Sequence, residues 1–157
     1  MIIAKIARAP ASEWFKQLRD EQMAKQTECI LEFDESRYPI VYVTHRGQMT
    51  TDAMDRSVLS YKRLLARKRP FTLVFDARTA SKPPGETLKT LDDFMKAHIE
   101  PFGLYCAGIA YVLDSVLLRM VTRGIFLVTK PPFPWIIFAT PDEAELWCRE
   151  RLSHFNP

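Results

Sequence analysis

The sequence reads as an α/β protein: a mixed, mostly parallel sheet of about five strands with helices packed on it, plus an added N-terminal helix. Three observations carry that reading. The chain has 157 residues of ordinary globular composition, 47% hydrophobic and 26% charged. From residue 27 onward, short apolar runs alternate with amphipathic segments. Turn or helix-cap residues stand at almost every junction between them. At this length one domain is expected, burying roughly 70% of its unfolded surface. Residues 1–26 read as a helical extension and 27–157 as the α/β domain.

Ser12 is a suitable N-cap for a helix running to about Lys25, with Trp14, Phe15 and Leu18 clustered near its start. Thr27 to Phe33 is strand-like. After a turn over Ser36 to Pro39, the β-branched and aromatic run Ile40-Val41-Tyr42-Val43-Thr44 completes a hairpin that ends at Gly47. Thr50 or Thr51 caps a helix in which Met54, Val58, Tyr61 and Leu65 recur at helical spacing, and Pro70 stops it. Phe71-Thr72-Leu73-Val74-Phe75, with Asp76 at its end, is the nearly continuous apolar run of a strand covered on both faces.

A loop of small residues and prolines, 77–85, leads to a helix with Leu88, Leu91, Met95 and Ile99 on one face, which Pro101 and Gly103 are expected to end. Tyr105 to Leu113 is a further covered strand. Asp114 is the expected cap of a helix carrying Val116, Leu117, Met120 and Val121. Beyond Pro131, Pro132 and Pro134, Trp135-Ile136-Ile137-Phe138 forms the last strand. Thr140-Pro141-Asp142-Glu143 is a capping box with proline at the first helical position, opening a helix to about Leu152 with Ala144, Trp147, Cys148 and Leu152 inward. Successive strand-helix-strand units favour right-handed crossovers between parallel strands, with one antiparallel strand at the start.

Charge and cysteine usage narrow the function classes. Twenty-two Lys plus Arg against nineteen Asp plus Glu leave a net charge of +3, too small an excess for a dedicated nucleic-acid partner. Five of the cations crowd into Lys62 to Arg69. No aromatic residue interleaves with them, so the run reads as a solvated helix end complementing the helix dipole. Cys29, Cys106 and Cys148 form no metal or disulfide spacing, which fits a reducing cytoplasm. Lys5 and Arg8 interrupt the N-terminal apolar run, and no stretch reaches the ~20 apolar residues of a transmembrane helix. A soluble cytoplasmic protein is expected.

The order of elements resembles the STAS fold of bacterial anti-sigma-factor antagonists and anion-transporter tails, and more closely the small STAS-like (SpoIIAA-like) proteins. These are distantly comparable to the CRAL-TRIO lipid-binding domain. The matching residues are Pro39 to Val43 leading to Gly47, Leu73 to Arg78, Gly108 to Ser115, and Phe138 to Ala144, so the resemblance spans about residues 27 to 153. It implies a regulatory, partner-binding module. The antagonists carry an Asp-Ser-Ser/Gly motif after the strand that matches Phe71 to Asp76, and its serine is their phosphorylation switch. Here the stretch reads Arg78-Thr79-Ala80-Ser81-Lys82-Pro83-Pro84-Gly85, with hydroxyls at Thr79 and Ser81 but without the motif.

The strand C-terminal ends, where open α/β sheets place ligands, gather His45, Arg46, Asp76, Arg78, Asp114 and Ser115. The two arginines suit a carboxylate or phosphate, and His45 with Asp76 suits proton transfer. The simpler alternative, and the favoured one, is that the acids cap the following loops and the bases are solvated. No Gly-rich phosphate loop, nucleophile elbow or His-Glu-x-x-His is present, so the expectation is no enzyme, no cofactor and no metal. His98 and His154 read as helix-end residues, and Cys106 and Cys148 as small buried hydrophobes. Ile125 to Val128 and Phe133 to Trp135 flank the proline turn as a candidate apolar patch.

The sequence thus favours a non-enzymatic regulatory or scaffolding module that binds a partner protein through the 77–85 loop, with Thr79 and Ser81, and the apolar 125–135 region, with Phe126, Phe133 and Trp135. It leaves open a homodimer through the N-terminal helix, and a small acyl or anionic ligand at the strand ends or between helices.

Overall fold

The computed structural model describes residues 29–156, so the helical extension expected over 1–26 lies outside the described residues. The elements are β1 (Ile30–Asp34), β2 (Ile40–Gly47), α1 (Thr51–Ala66), β3 (Phe71–Ala80), α2 (Gly85–Ala97), α3 (Ile99–Tyr105), β4 (Cys106–Val112), α4 (Val116–Thr129), β5 (Trp135–Phe138) and α5 (Pro141–His154). The strands lie side by side in chain order. β1 runs antiparallel to β2, and every later pair is parallel, so the mixed five-stranded sheet is the one the sequence anticipates.

Alternation along the strands sorts the core onto two faces. Val41, Val43, Phe71, Leu73 and Ile109 point to one side, where α1, α2 and α3 supply Tyr61, Leu64, Leu65, Phe94 and Phe102. Phe102 is fully buried, with its ring centroid 5.9 Å from Phe94, 6.0 Å from Tyr61 and 5.6 Å from Phe133. Ile40, Val74, Ala110 and Val112 point to the other side, against Ala144 and Cys148 of α5, with Trp147 and Leu152 around them. Polar contacts pin α5 to β2: the Tyr42 hydroxyl donates to the Glu145 carboxylate, and Arg37 reaches the same carboxylate at 3.3 Å. Burial and the adjacent Glu145 push the Tyr42 hydroxyl up to about 12.

Several junctions match their signals. Thr50 Oγ1 accepts from the Ala53 N–H at 3.1 Å, and Thr140 Oγ1 accepts from the Glu143 N–H at 3.4 Å while donating to the Glu143 carboxylate at 2.9 Å. The basic run at the end of α1 is partly used inside the fold. Arg67 pairs with Glu35 and lies 4.6 Å from the centre of the Tyr38 ring, clamping the β1–β2 turn to the helix.

Three boundaries differ from the sequence reading. β3 continues past Phe75 to Ala80 because β2 also continues: Arg46 pairs with Thr79 and Gly47 with Ala80 beyond a register shift. The Ser81 N–H then donates to the Gly47 carbonyl at 2.9 Å. Backbone pairing, not apolar side chains, extends the strand, so Arg78 and Thr79 are strand residues and the loop contracts to 81–84. Pro101 does not end a helix. It sits in the first turn of α3, where its missing N–H forfeits no intrahelical bond. Ser115, not Asp114, caps α4, because its Oγ is the one placed to accept from the Leu118 N–H, at 3.4 Å.

Gly108 records how closely α5 is seated. A Cβ there would lie 2.6 Å from the Trp147 ring, a contact no side chain tolerates without a shift. Gly108→Ala is expected to lower stability by roughly 1–3 kcal/mol through overpacking. Combining it with Trp147→Leu should cost less than the sum of the two single changes. Urea denaturation of the four proteins checks this, and additive losses would place the strain elsewhere.

Candidate functional site

The residues anticipated at the strand ends divide between the two faces of the sheet. Thr44 and Asp76 are cross-strand partners, so both side chains leave the sheet on the α5 side. His45, one residue on, turns to the opposite side, where its ring lies edge-on to Phe75 at 6.3 Å. Asp76 and His45 therefore form no hydrogen-bonded pair. Arg78 instead occupies the Asp76 carboxylate with two guanidinium bonds, at 3.0 and 2.7 Å, and a backbone bond at 3.2 Å. Partial burial raises the Asp76 carboxyl, but the Arg78 bonds outweigh it and hold the group below its ordinary value. Arg46 is exposed at the rim, and Asp114 lies beside Arg78 in the same shallow depression. Its charges are mixed, and Arg78 is bound internally by Asp76 and not solvated as the capping alternative has it.

The other face carries an open concavity. α2 and α4 stand apart over β4, and between them runs a groove of about 570 Å³ walled by Leu88, Leu91, Met95, Ile109, Ile125 and Phe133. An inner recess of about 130 Å³ continues it toward β2 and reaches His45. Tyr61, Leu88, Leu91, Tyr111, Ile125 and Phe126 border both spaces. No charged side chain among the described residues lines the recess. His45 is 3% exposed, and its Nε2 has no hydrogen-bond partner among the described residues. Burial pushes its imidazole below the ordinary histidine value, and the same effect drives the Tyr61 and Tyr111 hydroxyls well above theirs.

α4 forms the outer wall of this groove. Its sequence, VLLRMVTRGIFLVT, is apolar on nearly every side, and none of its residues is buried. Phe126 leans inward between Tyr111 and Trp135, with ring centroids at 5.3 and 4.7 Å. Val116, Leu117, Met120, Leu127 and Val128 are between 62% and 83% exposed. This corrects the expected apolar patch. Phe133 is 4% exposed and belongs to the aromatic core, while Phe126 and Trp135 are half-buried against each other. The outward apolar surface consists of Leu127 and Val128, which lie inside the expected Ile125 to Val128 run, together with Val116, Leu117 and Met120, to which the sequence reading assigned no partner role. The signal was there: an apolar helix without an acidic residue in its first turn, too apolar all round for one covered face.

The remaining candidates are structural. Cys106 and Cys148 are fully buried, and burial pushes the Cys148 thiol up to about 11, so neither is a reactive thiolate. His98 ends α2 with Nδ1 2.9 Å from the Phe94 carbonyl, and His154 is exposed at the end of α5. Ser81 is half-buried and borders the recess near Leu118 and Val121 of α4. No helix among the described residues is long and apolar enough to cross a membrane.

No protein-family model matches this chain, and no curated protein matches it. Solved structures do. One is an uncharacterized protein of the DUF3478 family with a SpoIIAA-like fold from Shewanella loihica PV-4, at TM-score 0.56 and 16% identity, covering 76% of this chain and 93% of that one. Another is an anti-sigma factor antagonist from Mycobacterium paratuberculosis, at TM-score 0.51 and 13% identity, covering 78% of this chain and 96% of that one. The fold is thus SpoIIAA-like, as the element order implies. The comparison with CRAL-TRIO domains finds no counterpart among these structures.

The depressed imidazole of His45 sets a pH dependence. Its proton affinity is lower in the folded chain than in the unfolded one, whose value is ~6.5. Below that pH the unfolded state takes up the proton first, so the stability His45 contributes above ~6.5 is lost as pH falls through the folded value. Urea denaturation at pH 7.5 and pH 5 should show wild type losing more stability than His45→Gln. Equal losses in the two proteins would contradict the burial of this ring.

Proposed function

We propose that this chain is a non-enzymatic regulatory module that works in the cytoplasm by binding a partner protein. The docking surface is the outer face of α4 together with the adjoining 81–84 loop. The observation that carries the reading is the row of exposed apolar side chains on α4, Leu117, Met120, Leu127 and Val128 among them. Apolar rows of this kind on a small soluble domain mark interaction surfaces. An anti-sigma factor antagonist among the structural neighbours supports the same class of role. The strand-end cluster supports it too, because Asp76 and Arg78 satisfy each other and Asp76 makes no pair with His45.

Ser81 is the position at which such docking would be modulated. It lines the recess that Leu118 and Val121 of α4 also line, so a negative charge there would enter an apolar lining shared with that helix. Quantitative affinity purification from the native host tests the surface. Leu117→Asp combined with Leu127→Asp, and separately Ser81→Glu, should reduce retention of the specific partner roughly tenfold, as loss of a hot spot does. Leu146→Asp, on an equally exposed residue of α5, should leave it unchanged. Identical retention by all variants, each folded by circular dichroism, would contradict the assignment.

A further inference from the structure

The groove beneath α4 has a chemistry that docking on the outer face does not use. Its volume of about 570 Å³ falls in the range of small-molecule sites, roughly 300–1,000 Å³. Its walls are mostly apolar side chains, with Lys89, Asp92, Lys96 and Lys130 on the outer groove, and its inner end stops at a buried imidazole whose Nε2 lacks a partner among the described residues. A polar atom left in that state is destabilising, and a hydrogen bond from an occupant would offset the cost. The Tyr61 and Tyr111 rings border the same passage, and neither hydroxyl bonds to another described residue. We propose that the groove binds a single unbranched alkyl chain ending in a hydroxyl or un-ionised carboxyl group, with that head bonded to His45 Nε2 and the chain running out between α2 and α4.

The observations favour this occupant over others. No charged side chain among the described residues lines the recess, so an ionised head would be buried without a counter-charge. On the outer groove, Lys89 pairs with Asp93 at 2.5 Å and Lys96 with Asp92 at 2.6 Å, while Lys130 at the end of α4 also borders it. A neutral head group seated in the recess gains its hydrogen bond at His45. A helix, whether from residues 1–28 or from a second copy, is roughly 10 Å across with its side chains and does not fit a 130 Å³ recess.

The test uses the full chain, stripped of bound lipid on a hydrophobic resin. 1-Dodecanol and dodecanoic acid are titrated separately, with stoichiometry read by native mass spectrometry and the His45 ring nitrogens followed by NMR. The expected result is a one-to-one complex with at least one of them and a shift of the His45 Nε2 resonance on binding. His45→Phe, which keeps the apolar bulk, should weaken binding roughly tenfold, the effect of one lost hydrogen bond. Ile125→Trp, which fills the groove, should abolish it. Should either variant fail to fold, the wild-type resonance decides. No complex with either probe, binding without a shift at His45, or cross-links that place residues 1–28 or a second copy in the groove would each overturn the proposal. Leu117→Asp with Leu127→Asp should leave probe binding intact, so failure of this site and failure of partner docking are distinguishable.

Discussion

A sheet whose strands run parallel presents two apolar faces, and both must be covered before its backbone can leave water. Here that constraint is met unequally. On one side α5 lies across β2 to β5 and seats Trp147 so tightly that position 108 has no room for a side chain. On the other, α1, α2 and α3 close around Phe102, and α4 covers the Tyr111 and Trp135 side of β4 and β5. It does so through Phe126 and a few half-buried neighbours, without burying a single residue completely. The outward apolar row and the groove are two consequences of that one loosely seated helix.

This arrangement explains why His45 and Asp76 at the strand ends form no hydrogen-bonded pair. Alternation along β2 turns His45 toward the helices and Thr44 toward Asp76, so the imidazole and the carboxylate that the sequence reading paired at the strand ends are separated by the sheet itself. Asp76 is then free to fix Arg78, and His45 becomes the inner wall of an apolar recess. A similar economy applies to the cationic end of α1, where Arg67 spends its charge on Glu35 and its face on Tyr38.

Elements with a local cause were legible in the sequence. Thr140 with Glu143 announces α5, Thr50 announces α1, and the unbroken apolar runs around Val74 and Ala110 announce strands covered on both faces. Features that depend on a partner strand were not. The extension of β3 through Thr79 is set by pairing with Arg46 and Gly47, which no propensity of Asp76 to Ala80 foretells. The site was legible in part. His45, Asp76 and Arg78 stood out as residue types, but which face each takes required the register. Phe133 and Leu127 are both large and apolar in sequence; only the packing around Phe102 makes one core and leaves the other exposed.

The unequal covering of the sheet is open to direct measurement, because α4 and α5 are both fourteen residues long and flank the same strands. Backbone amides protected only by a lightly packed helix exchange through local opening, ahead of the global unfolding that limits a well-seated one. Native-state hydrogen exchange should therefore find the amides of residues 118–129 exchanging at least about tenfold faster than those of 144–154. Equal protection in the two helices would contradict the account, since it would mean that α4 is packed as firmly as α5.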